Sequence, residues 1–167
     1  MSNNSLKSIP TSWWVGGAVA VAVTLLIGGL AFLDSSGETK STREVALACT
    51  TDLATRFHIH SQLKIVINGE SRDIPADIGI SPTCMNSLHT HDTSGEIHVE
   101  SPQKRDFTLA DFFAVWGKSF TKDQILDSTV DDRHVIRVTV NGNEAQEYEN
   151  TVLRDEDQIV ISYEEKK

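Results

Sequence analysis

The chain has 167 residues and a formal net charge of −9 at neutral pH. Phosphate recognition draws its affinity from clustered Lys and Arg, and the absence of a basic stripe argues against a nucleic-acid partner. The acidic residues are spread along the chain, with short runs such as Asp155-Glu156-Asp157 and Glu164-Glu165, as on a solvated surface rather than in a cation sink.

A short tail, residues 1–12, precedes a run from Trp13 to Leu33 that contains no charged residue. As a helix rising 1.5 Å per residue it would span roughly 31 Å, the hydrocarbon thickness of a bilayer, so an uncleaved transmembrane helix is expected over 13–33. A secretory signal has a shorter apolar core, a basic n-region and a small-x-small cleavage site, and here the tail offers only Lys7. The lipid bilayer is therefore one expected partner, with Trp13 and Trp14 at the headgroup level. Positive charge barely orients the span, since Lys7 precedes it and Lys40 and Arg43 follow. The short tail is the easier piece to leave inside, and the cysteines suit an oxidising compartment, which puts the C-terminal domain outside the cytoplasm. Residues 34–48, small and polar, read as a stalk; residues 49–164 read as one domain and 165–167 as a tail.

Within the domain, Phe57 to Ile67 alternates with period two: Phe57, Ile59, Leu63, Ile65 and Ile67 on one face, His58, His60, Gln62 and Lys64 on the other. Asn68-Gly69 supplies a tight turn into a short strand over Ser71–Ile74. Ala76 to Asn86 reads as a loop. Leu88-His-Thr-His-Asp92 leads through Thr93-Ser-Gly95 into a strand at Glu96–Glu100, where His98 shares a face with both glutamates. Thr108 is a plausible N-cap for a core helix over Leu109–Trp116 that Gly117 would end. Val135–Val140 runs into a second Asn-Gly turn, and Gln158–Tyr163 forms the last strand.

This order predicts an α+β fold, a mixed sheet with one core helix packed on it. The closing strands are similar to those of ubiquitin-like β-grasp domains, although Glu164-Glu165-Lys166-Lys167 lacks a terminal Gly-Gly. The alternative is a small β-sandwich closed by the helix. The run His58-Ile-His60, Asn68-Gly69, Leu88-His-Thr-His-Asp92, Gly95-Glu-Ile-His98-Val-Glu100 and Phe107-Thr-Leu-Ala-Asp-Phe-Phe-Ala-Val-Trp-Gly117 resembles a group of membrane-anchored or exported prokaryotic proteins. That resemblance implies no activity, cofactor or catalytic residue.

Five of the six histidines, His58, His60, His89, His91 and His98, fall within 41 positions. Neutral imidazole is the commonest transition-metal ligand, and residues two apart on a strand share a face, so each His-x-His pair can offer two ligands to one point. Copper or zinc is the expected cofactor, with His58, His60, His89 and His91 at the centre and His98 less secure. Asp92 and Glu100 are candidates to orient imidazoles or to act as a general base, Asp92 being the better placed; Glu96 and Glu100 also read as ordinary strand carboxylates. Cys84-Met85 offers soft sulfur, but a Cys49–Cys84 disulfide is the simpler account. Three functions remain open: a tethered metal-handling domain, a metal-dependent oxidase or hydrolase with Asp92 as base, and an interaction module of a membrane complex whose partner the sequence does not name.

Overall fold

A computed structural model describes residues 40–51 and 54–166. The expected span at 13–33 lies outside the described residues. Among those described, no helix is long and apolar enough to cross a membrane.

The first described element departs from expectation. Residues 42–47, read as stalk, form helix α1 (Thr42–Leu47), opened by a reciprocal capping box between Ser41 and Glu44. Helix α1 is tied to the domain: Arg43 Nε lies 3.1 Å from Asp111 Oδ1, its Nη1 donates to the Ala110 carbonyl at 2.7 Å, and Ala46 is fully buried. The compact unit therefore begins near Lys40 rather than at Cys49. A six-residue helix is too short to announce itself by periodicity, and tertiary contacts stabilise it.

Strand β1 (Phe57–Ile67) keeps its period of two, with Ser61, Leu63, Ile65 and Ile67 buried on one face. Asn68 and Gly69 both have positive φ, 52° and 82°, as a type I′ turn requires, and return the chain into β2 (Glu70–Arg72). Strands β3 (Leu88–His89) and β4 (Glu96–Ser101) pair antiparallel across the Asp92–Gly95 turn. Gly95 has φ +86°, and a Cβ there would collide with the Leu63 carbonyl oxygen, so both backbone shape and close approach require glycine.

Helix α2 (Leu109–Trp116) has the predicted bounds, with a Thr108–Asp111 capping box and Gly117 in the left-handed region. Its Phe112 and Phe113 are fully buried or nearly so, each contributing about 2–3 kcal/mol of apolar burial. Three two-residue strands not foreseen from the sequence follow, β5 (Phe120–Thr121), β6 (Gln124–Ile125) and β7 (Ser128–Thr129), forming a separate small sheet. Phe120 and Ile125 from this sheet join the core, with the Phe120 ring 4.9 Å from that of Phe113.

The chain closes with β8 (His134–Val140), a second type I′ turn at Asn141-Gly142, β9 (Asn143–Ala145), a 3-10 turn at Tyr148–Asn150, and β10 (Gln158–Glu165). The two Asn-Gly hairpins use the same turn chemistry in unrelated positions. The main sheet runs β3-β4-β1-β10-β8-β9, with β2 beside β1. β4 takes residues 57–62 of β1 and β2 takes 65–67, while β10 runs parallel to β1 on its other side. These strands form a mixed sheet rather than two stacked ones, and the apolar face of β1, β4, β8 and β10 shares one buried cluster with α2. His58, His60, His89 and His98 project from the opposite face.

Candidate metal centre

Pairing register brings the histidines together. His60 lies opposite His98, and His98 lies opposite His89, so three imidazoles form a row across β1, β4 and β3. Cross-strand neighbours on one face stand within about 5 Å. His58, two residues before His60, extends the row at one end, and His91, two after His89, extends it at the other. The His98 ring is 4.4 Å from that of His60, 4.5 Å from His91, 5.3 Å from His89 and 5.7 Å from His58.

Two ligand sets follow, His58–His60–His98 and His89–His91–His98, and each could hold a metal ion, with its ligand atoms within 4.8 Å of one another. The sequence reading put the two His-x-His pairs at the centre with His98 less secure. The structure instead makes His98 the member common to both sets. Its place is decided by strand register, which puts β4 between β1 and β3.

His89 gives the sharpest geometry. It is 0% exposed, and its Nδ1 lies 3.0 Å from the Asn86 carbonyl oxygen. A carbonyl only accepts, so Nδ1 carries the proton and Nε2 presents a lone pair. Nε2 is buried and has no hydrogen-bond partner, its nearest acidic neighbour being Glu100 Oε1 at 3.9 Å. A backbone carbonyl fixing the far nitrogen is the arrangement seen around metal-ligating histidines. Burial holds the His89 pKa below its ordinary value, against the smaller opposing effects of the Asn86 hydrogen bond and Glu100. His98 is lowered too, by burial first and then by the positive charges that His60 and His91 would carry. Both effects favour neutral imidazoles with free lone pairs.

The parts that set His89 come from far along the chain. Asn86 donates its side-chain amide to the Ala46 carbonyl of α1 at 2.9 Å, and its backbone N–H donates to Gly79 O at 2.8 Å. Cys49 and Cys84 form a disulfide with Cα atoms 5.3 Å apart, and Thr50 and Met85 exchange two backbone hydrogen bonds beside it. Cys84 is thus part of a bridge and not a thiolate ligand. The bridge closes a loop of sequence separation 35, which restrains the unfolded chain by about 3 to 4 kcal/mol in the loop-entropy account.

The carboxylates divide differently from expectation. Asp92 accepts from the Ser94 backbone N–H at 2.8 Å, which shapes the turn, and hydrogen bonding to the Ser94 side chain first and to its backbone second lowers its pKa. A carboxylate so stabilised is a weakened base. Glu100 and Glu96 are the ones that touch imidazoles: Glu100 Oε1 lies 3.3 Å from His58 Nε2, and Glu96 Oε1 lies 3.2 Å from His98 Nε2. Glu100 is only 16% exposed, and its other oxygen accepts from the Thr55 hydroxyl at 3.0 Å. The signal for both was their shared face with His98. Asn86 carried no such signal, because its contribution is a backbone carbonyl.

Beside His60 and Glu96 lies a cleft of about 340 Å³ that also takes in Asp155 and Glu156. The sixth histidine, His134, lies elsewhere, hydrogen-bonded to Asp131 at 2.8 Å and stacked on Tyr163. No protein-family model, curated protein or solved structure matches the chain.

Proposed function

We propose that this is a membrane-tethered protein whose extracytoplasmic domain binds copper or zinc through His58, His60, His89, His91 and His98, for metal handling or site stabilisation rather than turnover. The observation that carries this reading is the buried, unpartnered Nε2 of His89, whose lone pair is fixed by the Asn86 carbonyl. Leaving such an atom unsatisfied costs about 1–3 kcal/mol, and a metal ion would remove that cost. The donor set, nitrogen with carboxylates close by and no thiolate, suits zinc or copper(II). Against the hydrolase or oxidase reading stands Asp92, whose carboxylate is committed to Ser94.

Several further parts belong to the same proposal. The tether is the uncharged run 13–33, and the disulfide fits an oxidising compartment. The fold is a β-grasp variant, supported by two hairpins, one core helix and a last strand parallel to the first at the middle of the sheet. The resemblance to membrane-anchored or exported prokaryotic proteins agrees with this placement and adds no activity.

The test is metal uptake by the full-length chain. After equilibrium dialysis against copper(II) or zinc and removal of loose ions, at least one equivalent should remain, counted by elemental analysis. His98→Ala removes a ligand from both sets and should weaken uptake by a factor of about ten or more. Retention of neither metal at stoichiometric ratio would sink the proposal.

A further inference from the structure

We propose that the Cys49–Cys84 disulfide is a thiol-exchange site: a dithiol partner attacks the exposed sulfur of Cys49, and Cys84 leaves as a thiolate held by Ser81. The inference stands apart from the metal reading and uses none of the histidines.

The two halves of the bridge differ. Cys49 is exposed, whereas Cys84 is half-buried at the end of the turn that runs from Ser81. Exchange requires a thiolate in line with the bond, on the side of the sulfur it attacks, and access is one of the factors that set its rate. Exposure therefore selects Cys49 as the attacked residue and Cys84 as the leaving group.

The leaving group has a prepared partner. Ser81 Oγ lies 3.2 Å from Cys84 Sγ and 3.9 Å from Cys49 Sγ. While the bridge is closed, that hydroxyl donates to the Cys84 carbonyl at 3.0 Å, and the Ser81 backbone N–H donates to the same oxygen at 3.0 Å. The hydroxyl can thus turn to a negative sulfur, the stronger acceptor, without leaving the carbonyl unpaired. A hydrogen bond to the charged form lowers a thiol's pKa and makes it a better leaving group. Cys84 also lines a cleft of about 520 Å³ with Ser81, Thr55 and Thr83, so the new thiolate forms beside hydroxyl groups.

The exchange balances. The first thiolate of the dithiol bonds to Cys49 Sγ as the Cys49–Cys84 bond breaks, its electron pair passing to Cys84. The second thiolate then attacks its own partner's sulfur in the mixed disulfide and releases Cys49 as a thiolate. The dithiol ends oxidised to a disulfide, and the protein ends reduced to two thiols that take protons from water. Two backbone hydrogen bonds between Thr50 and Met85 join the two segments independently of the sulfurs, which keeps the cysteines adjacent for re-oxidation.

The experiment treats the oxidised full-length chain with reduced glutathione, a monothiol, in native buffer and quenches early. Free thiols are alkylated, and the peptides are read by mass spectrometry. The glutathione adduct should sit on Cys49 and the alkyl label on Cys84. With dithiothreitol the reduction rate should rise in proportion to thiolate concentration. Ser81→Ala should slow it about threefold or more, and Ser81→Thr, which keeps the hydroxyl, should restore it. The proposal is overturned by an adduct on Cys84, by a rate that saturates with reductant because the fold must open first, by a Ser81→Ala rate equal to the parent's, or by Ser81→Thr as slow as Ser81→Ala.

Discussion

Replacing His89 by leucine separates a ligand from an ordinary core histidine by the sign of its effect. A fully buried histidine kept for packing and hydrogen bonding should destabilise the protein when lost. Here Nε2 is buried with no partner, so removing it recovers about 1–3 kcal/mol. Against that, the Nδ1–H bond to Asn86 O is lost at about 1 kcal/mol, with a further cost of similar size for the carbonyl left unpaired. These terms nearly cancel, and leucine adds apolar burial. His89→Leu should therefore leave the metal-free stability within about 1 kcal/mol of the parent, measured by urea unfolding. With metal present the outcome reverses. An ion at a hundredfold its Kd stabilises the folded state by about 2.7 kcal/mol, roughly 10 °C in Tm for a domain of this size. In His89→Leu that increment should shrink to what the His58–His60–His98 set supplies alone. A metal-free loss above about 3 kcal/mol, or a metal-induced Tm shift equal to the parent's, would refute the assignment of Nε2 as a ligand atom.

Other outcomes follow from the same structure. For pH, burial lowers His89 and His98 below the ordinary value of 6.5, so the unfolded chain binds more protons than the native one as pH drops through that value. Metal-free stability should be fully present above about pH 7 and decline as the solution is acidified, and a flat urea-midpoint profile from pH 8 to 5 would contradict this. Asp131, held to about 2 by the Arg133 backbone N–H first and the His134 side chain next, should titrate near that value by NMR. Its contribution is present above the ordinary carboxylate range and is lost as pH falls through about 2. His134→Ala should leave metal stoichiometry untouched, since His134 stands with Asp131 and Tyr163 apart from the cluster. Gly95→Ala should cost more than about 2 kcal/mol through the Leu63 carbonyl clash, and Gly69→Ala, with open space around it, about 1 kcal/mol from φ alone. Equal thermal losses in the two would show that the close approach at Gly95 does not matter. Reducing the disulfide should lower stability by about 3 to 4 kcal/mol and, by loosening Asn86, weaken metal uptake in the same preparation.

Local chemistry along the chain determined much of this fold. Alternation from Phe57 to Ile67 specified β1 and the face that carries His58 and His60, because a strand's side chains obey a strict period of two. Thr108, Asp111 and Gly117 marked both ends of α2, because helix termini have orphan donors and acceptors that particular residues satisfy. The Asn-Gly dipeptides announced both hairpins, since few residues accept positive φ twice in succession. Cysteine count alone pointed to the bridge between Cys49 and Cys84.

What the sequence left open depends on contacts between distant residues. The strands of the β5–β7 meander are too short to show a period, and α1 is a helix that Arg43 and Ala46 hold in place through Asp111, Ala110 and the core. For the cluster, sequence put five histidines near one another but not in an order. Register made His98 the middle of the row and brought Glu100 against His58 across the strands, while the turn before β3 set the buried His89 on the Asn86 carbonyl. Residue types supply the donors; which donors meet is a property of strand pairing, and that is set only when the sheet closes.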